Sequence, residues 1–172
     1  MLAAEHVFAA KGAAASTEEV AQRAGVSIAT VFRNFATKQD LIEATAVRCL
    51  EKLTAEALRL TDREEPGTAL ASMVRTFAAA GPVKMTLLDL LPPHGADGEG
   101  LSRPVAEAAD VFHAAVEGTL RRAQAAGAAR PEVTGDDISL LLRALAHATD
   151  LAEAEALDRA VRIVLDGLGV PR

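Results

Sequence analysis

The sequence predicts an all-α protein, and three observations carry that prediction. Half of the 172 residues are hydrophobic, drawn mainly from Ala, Leu and Val, with no Trp or Tyr and only five Phe. Ala and Leu favour helix, while the β-branched and aromatic residues that mark strands are sparse. Apolar residues also recur at three- and four-residue spacing through most of the chain, the period of one helical face. Finally, the breaks between those runs carry helix-capping and helix-stopping residues. The length allows one compact domain or a small domain joined to a larger one, and a division into residues 1–44 and 45–172 fits the pattern.

The elements follow in order. Leu2, Ala4, Val7 and Phe8 suggest one apolar face of a first helix over 2–11, stopped by Gly12. Ser16-Thr17-Glu18-Glu19 has the form of a capping box, so a second helix should start near Thr17 and end at Gly25. Its apolar face is Val20, Ala21 and Ala24. Ser27 can cap a third helix over about 28–34, with Val31 and Phe35 turned inward. Thr37 caps a fourth. In it Leu41, Ile42, Thr45, Ala46, Cys49, Leu50, Leu53, Ala57, Leu58 and Leu60 keep helical spacing to about Thr61. Pro66 and Gly67 punctuate the break in DREEPG, 62–67. Further helices are expected at about 67–80, 82–91, 102–126, 135–148 and 152–167, with PPHGADGEG, 92–100, as a loop. Pro104 suits a first helical turn, Gly127 a helix end, and Thr134 with Asp137 a helix start.

Charge and composition narrow the function classes. The net charge is −6, yet residues 1–60 are neutral, with seven Lys/Arg against seven Asp/Glu. Residues 20–38 contain Arg23, Arg33 and Lys38 and no acid. Such a local basic face can meet phosphate on an acidic protein, because a Debye length of about 8 Å screens distant charge. Cys49 is the only cysteine, so no intrachain disulfide is possible, and it reads as a small core hydrophobe. No apolar run is long enough to span a bilayer, and the N-terminus lacks the pattern of a signal peptide. A cytoplasmic setting without a membrane partner is expected. His94, His113 and His147 show no metal-ligand spacing. Asp89, Asp97, Asp110 and Glu117 form no recognisable acid–base pair. Neither an enzyme nor a cofactor is indicated.

A short helix, a three-residue turn led by glycine and a second short helix make a helix-turn-helix. Here Ala24-Gly25-Val26 is the turn, with Val26 expected to plug the angle between the helices. Residues 27–34 span about 12 Å, and the major groove of DNA is about 12 Å wide. With Val31 and Phe35 inward, Ile28, Ala29, Thr30, Arg33 and Asn34 remain outside. Ile28 and Ala29 can meet thymine methyl groups, Thr30 and Asn34 offer short polar groups, and Arg33 can reach a phosphate or a guanine edge. Lys38, in the first turn of the next helix, sits beside backbone amides that favour an anion.

These same residues carry a family resemblance. Ala4, Phe8, Gly12, Glu19-Val20-Ala21, Ala24-Gly25-Val26-Ser27, Thr30-Val31-Phe32, Phe35 and Lys38 follow the spacing of the N-terminal domain of the tetracycline-repressor (TetR) family. The stretches ARPEVTGDDISLLLRAL and RIVLDGLG are more loosely similar to one branch of it. The resemblance implies an all-helical homodimer with a DNA-binding helix-turn-helix domain and a helical ligand-binding and dimerisation domain. It further implies a transcription regulator, most often a repressor that a small effector releases from a double-stranded DNA operator. By position it adds Ser16, Ser27 and Phe32 to the DNA-binding set. Phe32 replaces the usual Tyr, Ala29 stands where Gly is common, Thr17 fills a usually apolar position, and the chain begins inside the first helix, where a basic arm commonly precedes it.

The second part of the chain suggests partners of its own. ISLLLRALAHA and LDRAVRIVLDGL are apolar around much of their circumference, and such helices need neighbours on more than one side. A second subunit forming a four-helix bundle meets that need. The candidate dimer residues are Leu141, Ala144, Leu145, Ala148, Leu157, Val161, Val164 and Leu165. Candidate effector contacts are Met73, Phe77, Met85, Leu88, Phe112, Val116 and Leu120, with His94, His113 or Arg121 as polar groups. Apolar walls suggest a hydrophobic or amphipathic effector. The competing reading is a helical small-molecule or partner-binding protein whose DNA-binding head is impaired.

Overall fold

A computed structural model describes residues 1–79, 102–148 and 154–169. Among them are eight α-helices and no strands: α1 (Leu2–Lys11), α2 (Thr17–Ala24), α3 (Ile28–Asn34), α4 (Lys38–Arg63), α5 (Pro66–Ala79), α6 (Arg103–Ala125), α7 (Gly135–Ala148) and α8 (Ala154–Leu168). A short 3-10 turn, Gly12–Ala14, follows α1. The expected helix at 82–91 and the loop at 92–100 lie outside the described residues. The chain separates into two compact units, one of Met1–Leu50 with Val83–Ala109, the other of Glu51–Pro82 with Asp110–Arg172.

In the first unit α1 packs on α2, and α2 on α3. Ala4, Val7 and Phe8 of α1 meet Ala15, Val20, Ala21 and Val31 in a small core, joined by Leu41, Ile42, Ala46, Cys49 and Leu50 of α4. Leu2 is not part of it: the side chain is exposed. At about 100° per residue, Leu2 points away from the face that Ala4, Val7 and Phe8 share. Thr17, where an apolar residue is usual, is also buried.

Local chemistry sets the helix ends. Ser16 Oγ accepts the Glu19 N–H at 3.2 Å, and the Glu19 carboxylate accepts the Ser16 N–H at 3.0 Å. The other Glu19 oxygen takes Lys11 Nζ, tying the end of α1 to the start of α2. Hydrogen bonding from Lys11, then from the Ser16 backbone, holds the Glu19 carboxyl below the usual glutamate range. Thr37 and Asp40 repeat the reciprocal cap at the start of α4, at 2.9 and 3.0 Å. Thr134 and Asp137 do so again for α7, which lowers the Asp137 carboxyl through the Thr134 hydroxyl and backbone.

In the second unit α5 packs against α7 and α8, and these two against each other. Leu70, Met73, Val74 and Phe77 of α5 join Val116 and Leu120 of α6, Ile138, Leu142 and Leu145 of α7, and Val161, Leu165 and Leu168 of α8 in the core. Thr61 at the end of α4 shares a 2.7 Å hydrogen bond with Thr119, and Arg122 donates to the Thr61 carbonyl at 2.6 Å. After α6 the chain turns at Gly127, and Gln124 Nε2 donates to the carbonyls of Arg130 and Val133, both at 2.9 Å. Glu117 accepts the Gly135 N–H at 2.9 Å, adding an acceptor to the first turn of α7. Leu58, counted in the apolar spacing of α4, is exposed.

Candidate nucleic-acid interface

The head is built around one turn. Gly25 adopts φ 68°, ψ 30°, a left-handed conformation that glycine enters without steric cost. The Val26 N–H then donates to the Ala21 carbonyl at 3.0 Å and the Gly25 N–H to the Gln22 carbonyl at 3.2 Å. This pair of bonds is the Schellman arrangement, which satisfies the last carbonyls of a helix and reverses the chain. The same pair closes α6, where Ala128 and Gly127 donate to Ala123 and Gln124. Val26 was expected to fill the angle between the helices. Instead its backbone N–H is turned inward and its side chain is 43% exposed.

Directly after the turn, Ser27 Oγ accepts the Thr30 N–H at 3.2 Å and caps α3. Val31 is buried and anchors α3 from behind, while Phe35 is half-buried. The remaining side chains face outward to different degrees. Ala29, Phe32, Arg33 and Asn34 are exposed, and Ile28 and Thr30 are half-buried. Phe32, with its large apolar ring, keeps 46% of its surface in solvent.

The polar groups of α3 are partly engaged. Ser27 Oγ and Thr30 Oγ1 lie 2.9 Å apart, so one hydroxyl donates to the other. Asn34 Nδ2 donates to the Thr30 carbonyl at 2.8 Å. Ser16, at the start of α2, spends an acceptor on Glu19 and keeps its hydroxyl proton for donation. Lys38, half-buried in the first turn of α4, has a polar partner. Arg23 and Arg33 are exposed, and the run 20–38 that holds them contains no acid.

The residues picked out in the second unit divide into an inner and an outer set. Met73, Val116 and Leu120 are fully buried, Phe77 is nearly so, and Phe112 is half-buried. The Phe77 and Phe112 rings lie 5.6 Å apart, tilted by 54°. His113 is exposed, 3.9 Å from Asp136, and Arg121 sits on the surface 3.5 Å from Glu117. Met85, Leu88 and His94 lie outside the described residues. No cluster among the described residues could hold a metal ion, and no described helix is long and apolar enough to cross a membrane.

Of the proposed dimer residues, Leu145, Val161 and Leu165 are buried in the core of their own unit. Leu141, Leu157 and Val164 are half-buried and Ala144 is exposed, while the side chain of Ala148 lies outside the described set. Among the described residues, the large apolar side chains that face outward on these helices are Leu140, 69% exposed, and Ile163, 71% exposed. Apolar periodicity finds the face a helix buries first, which is its own core. Leu140 and Ile163 lie off that stripe, on the outer side of their helices.

Comparison with known proteins agrees with this architecture. Residues 1–45 match the family described as bacterial regulatory proteins, tetR family, and residues 65–170 match the SbtR-like C-terminal domain of transcriptional regulators. Among solved structures, a TetR transcription regulatory protein from Mycobacterium vanbaalenii is 32% identical, with 97% of this chain and 90% of that one covered at a TM-score of 0.72. The TetR transcriptional regulator SCO0520 from Streptomyces coelicolor is 28% identical, with 97% and 94% covered at a TM-score of 0.73. FadR from Bacillus subtilis, solved in complex with stearoyl-CoA, covers 98% of this chain and 96% of its own at a TM-score of 0.73. At 16% identity that likeness shows a shared fold and not a shared ligand. No curated protein matches the sequence. The helix-turn-helix head, the helical second part and these matches together establish that the chain belongs to the TetR family of DNA-binding transcriptional regulators, a family without enzymatic activity.

Proposed function

We propose that the chain is a homodimeric repressor whose α3 enters the major groove of an operator and which a hydrophobic or amphipathic effector releases. The observation that carries the DNA contact is the outer edge of α3. Ala29, Phe32, Arg33 and Asn34 are exposed there, while Val31 holds the helix from the other side. Ser16 and Lys38 are assigned to phosphate and Arg33 to a base edge, since phosphate contacts set register and base contacts set sequence.

Dimerisation is assigned to the outer faces of α7 and α8, led by Leu140, Ala144 and Ile163. Exposed apolar residues of this size on neighbouring helices favour burial against a second copy. The effector is assigned to the second unit, against Met73, Phe77, Phe112, Val116 and Leu120. A core containing methionine and a tilted aromatic pair adapts its shape more readily than one of branched aliphatics. Release follows from a population shift. The operator needs two heads in successive major grooves, about 34–36 Å apart. An effector that favours a different separation weakens operator binding by its preference between the two states.

The test is operator binding with and without long-chain apolar compounds, using promoter fragments as probe at two salt concentrations. Salt-sensitive binding that an effector weakens supports repression by release. Binding that an effector strengthens assigns the opposite sign, and binding that no salt concentration alters removes the phosphate contacts.

A further inference from the structure

The chemistry left free on α3 states what kind of sequence it reads. Taking about 100° per residue, Ile28, Phe32 and Ala29 share an arc of about 100°, with Arg33 next to it. Thr30 and Asn34 follow on the far flank, next to the buried Val31. Part of the polar capacity of that flank is already in use. The Thr30 and Ser27 hydroxyls are joined by one hydrogen bond of 2.9 Å, and one Asn34 Nδ2–H donates back to the Thr30 carbonyl at 2.8 Å. The side opposite Val31 therefore carries Ala29 and Arg33, with Phe32 and then the half-buried Ile28 extending the apolar surface to one side.

In the major groove only one base presents an apolar group, the C5-methyl of thymine. A ring with 46% of its surface exposed, flanked by an exposed alanine and a half-buried isoleucine, gains nothing from cytosine N4 or adenine N6. It gains by covering methyl groups. Arg33 has the fork that matches guanine O6 and N7. Resting on the placement of α3 in the major groove, we infer that each half-site is read in part through thymine methyl groups. At least two thymines lie under Phe32, Ala29 and Ile28, and a guanine lies beside them under Arg33. The local charge supports this occupant: residues 20–38 hold three cations and no acid, so the apolar patch is set in a surface that a polyanion approaches.

The experiment begins with bound sequences selected from random duplex DNA. The selected operator is then made with deoxyuridine in place of thymidine, first across the half-sites and then at single positions. Uracil keeps every hydrogen-bonding group and loses only the methyl. Each methyl group in apolar contact should account for about a three- to fivefold change in Kd. Phe32→Ala should weaken binding to the thymine operator and bring the thymine-to-uracil ratio towards one, because Phe32 and the methyl then no longer couple. Phe32 is exposed, so the fold should persist, and unchanged thermal unfolding of the variant checks it. A deoxyuridine operator bound as tightly as the thymine one overturns the inference and leaves the regulator intact. A selection that enriches no sequence instead removes the placement of α3 in the groove, and the inference with it.

Discussion

Replacing Gly25 with alanine probes the turn that aims α3. Gly25 sits at φ 68°, and no heavy atom lies within 4 Å of the position its Cβ would take. The new methyl group meets no neighbour, so the cost is one of backbone alone. An L-residue held in the left-handed region costs about 1–2 kcal/mol. Reduced freedom of the unfolded chain offsets part of that, by about 0.4–1 kcal/mol. A net loss of about 1 kcal/mol is expected.

Gly118 supplies the control. It lies inside α6 at an ordinary helical φ, also with nothing within 4 Å of its Cβ position. Alanine there should stabilise by about 0.5–1 kcal/mol. The same substitution thus has opposite signs at two open sites, decided by φ alone. Thermal unfolding reads both, since 1 kcal/mol shifts Tm by about 2–4 °C in a chain of this size. Hydrogen exchange at the Val26 N–H, which is bonded to the Ala21 carbonyl, localises the loss to the head. A Gly25→Ala variant as stable as the wild type, with unchanged protection at Val26, would show that the turn is not left-handed and refute the reasoning.

Other outcomes follow from the same geometry. Lys38→Ala should weaken operator binding about equally across sequences and flatten the salt slope by about 0.9 per head in log–log units, read by titrations at several salt concentrations. Leu140→Glu combined with Ile163→Glu should convert a dimer to a monomer with unchanged helix content, measured by sedimentation; a dimer that persists assigns the interface elsewhere. The Glu19 carboxyl lies below its ordinary range because Lys11 and Ser16 donate to it. The stability it contributes is therefore complete above the ordinary glutamate value and is lost as pH falls through the lower folded value. Glu19→Gln should make the acid-range fall in Tm shallower, and an unchanged profile would separate Glu19 from acid unfolding.

Much of the fold was legible because the local signals coincided. Ser16 with Glu19, Thr37 with Asp40 and Thr134 with Asp137 place helix starts by a reciprocal hydrogen bond that three residues of sequence spell out. Gly12, Gly25 and Gly127 marked positions where the chain takes positive φ. Direction was harder to read than position. Leu2, Val26 and Leu58 are apolar and sit in plausible register, yet all three face solvent. Which way a side chain points depends on the neighbouring helix, and no local pattern encodes that neighbour. The same limit explains why apolar spacing on α7 and α8 found Leu145, Val161 and Leu165, which the second unit buries, and passed over Leu140 and Ile163. On α3 the residue types at the surface were legible, but the internal bonds of Thr30 and Asn34 were not. Those depend on a helical carbonyl and a cap hydroxyl arriving at the same flank.

The central claim is that the outer edge of α3 lies in the major groove of a two-fold operator. Selection of bound duplexes, followed by methylation interference at guanine N7 on the enriched sequence, tests it most directly. The account predicts two related half-sites about 10–10.5 base pairs apart, or a multiple of that, each with an interfering guanine. It also predicts that Arg33→Ala abolishes that interference. A single unpaired site, or interference that Arg33→Ala leaves in place, would contradict it.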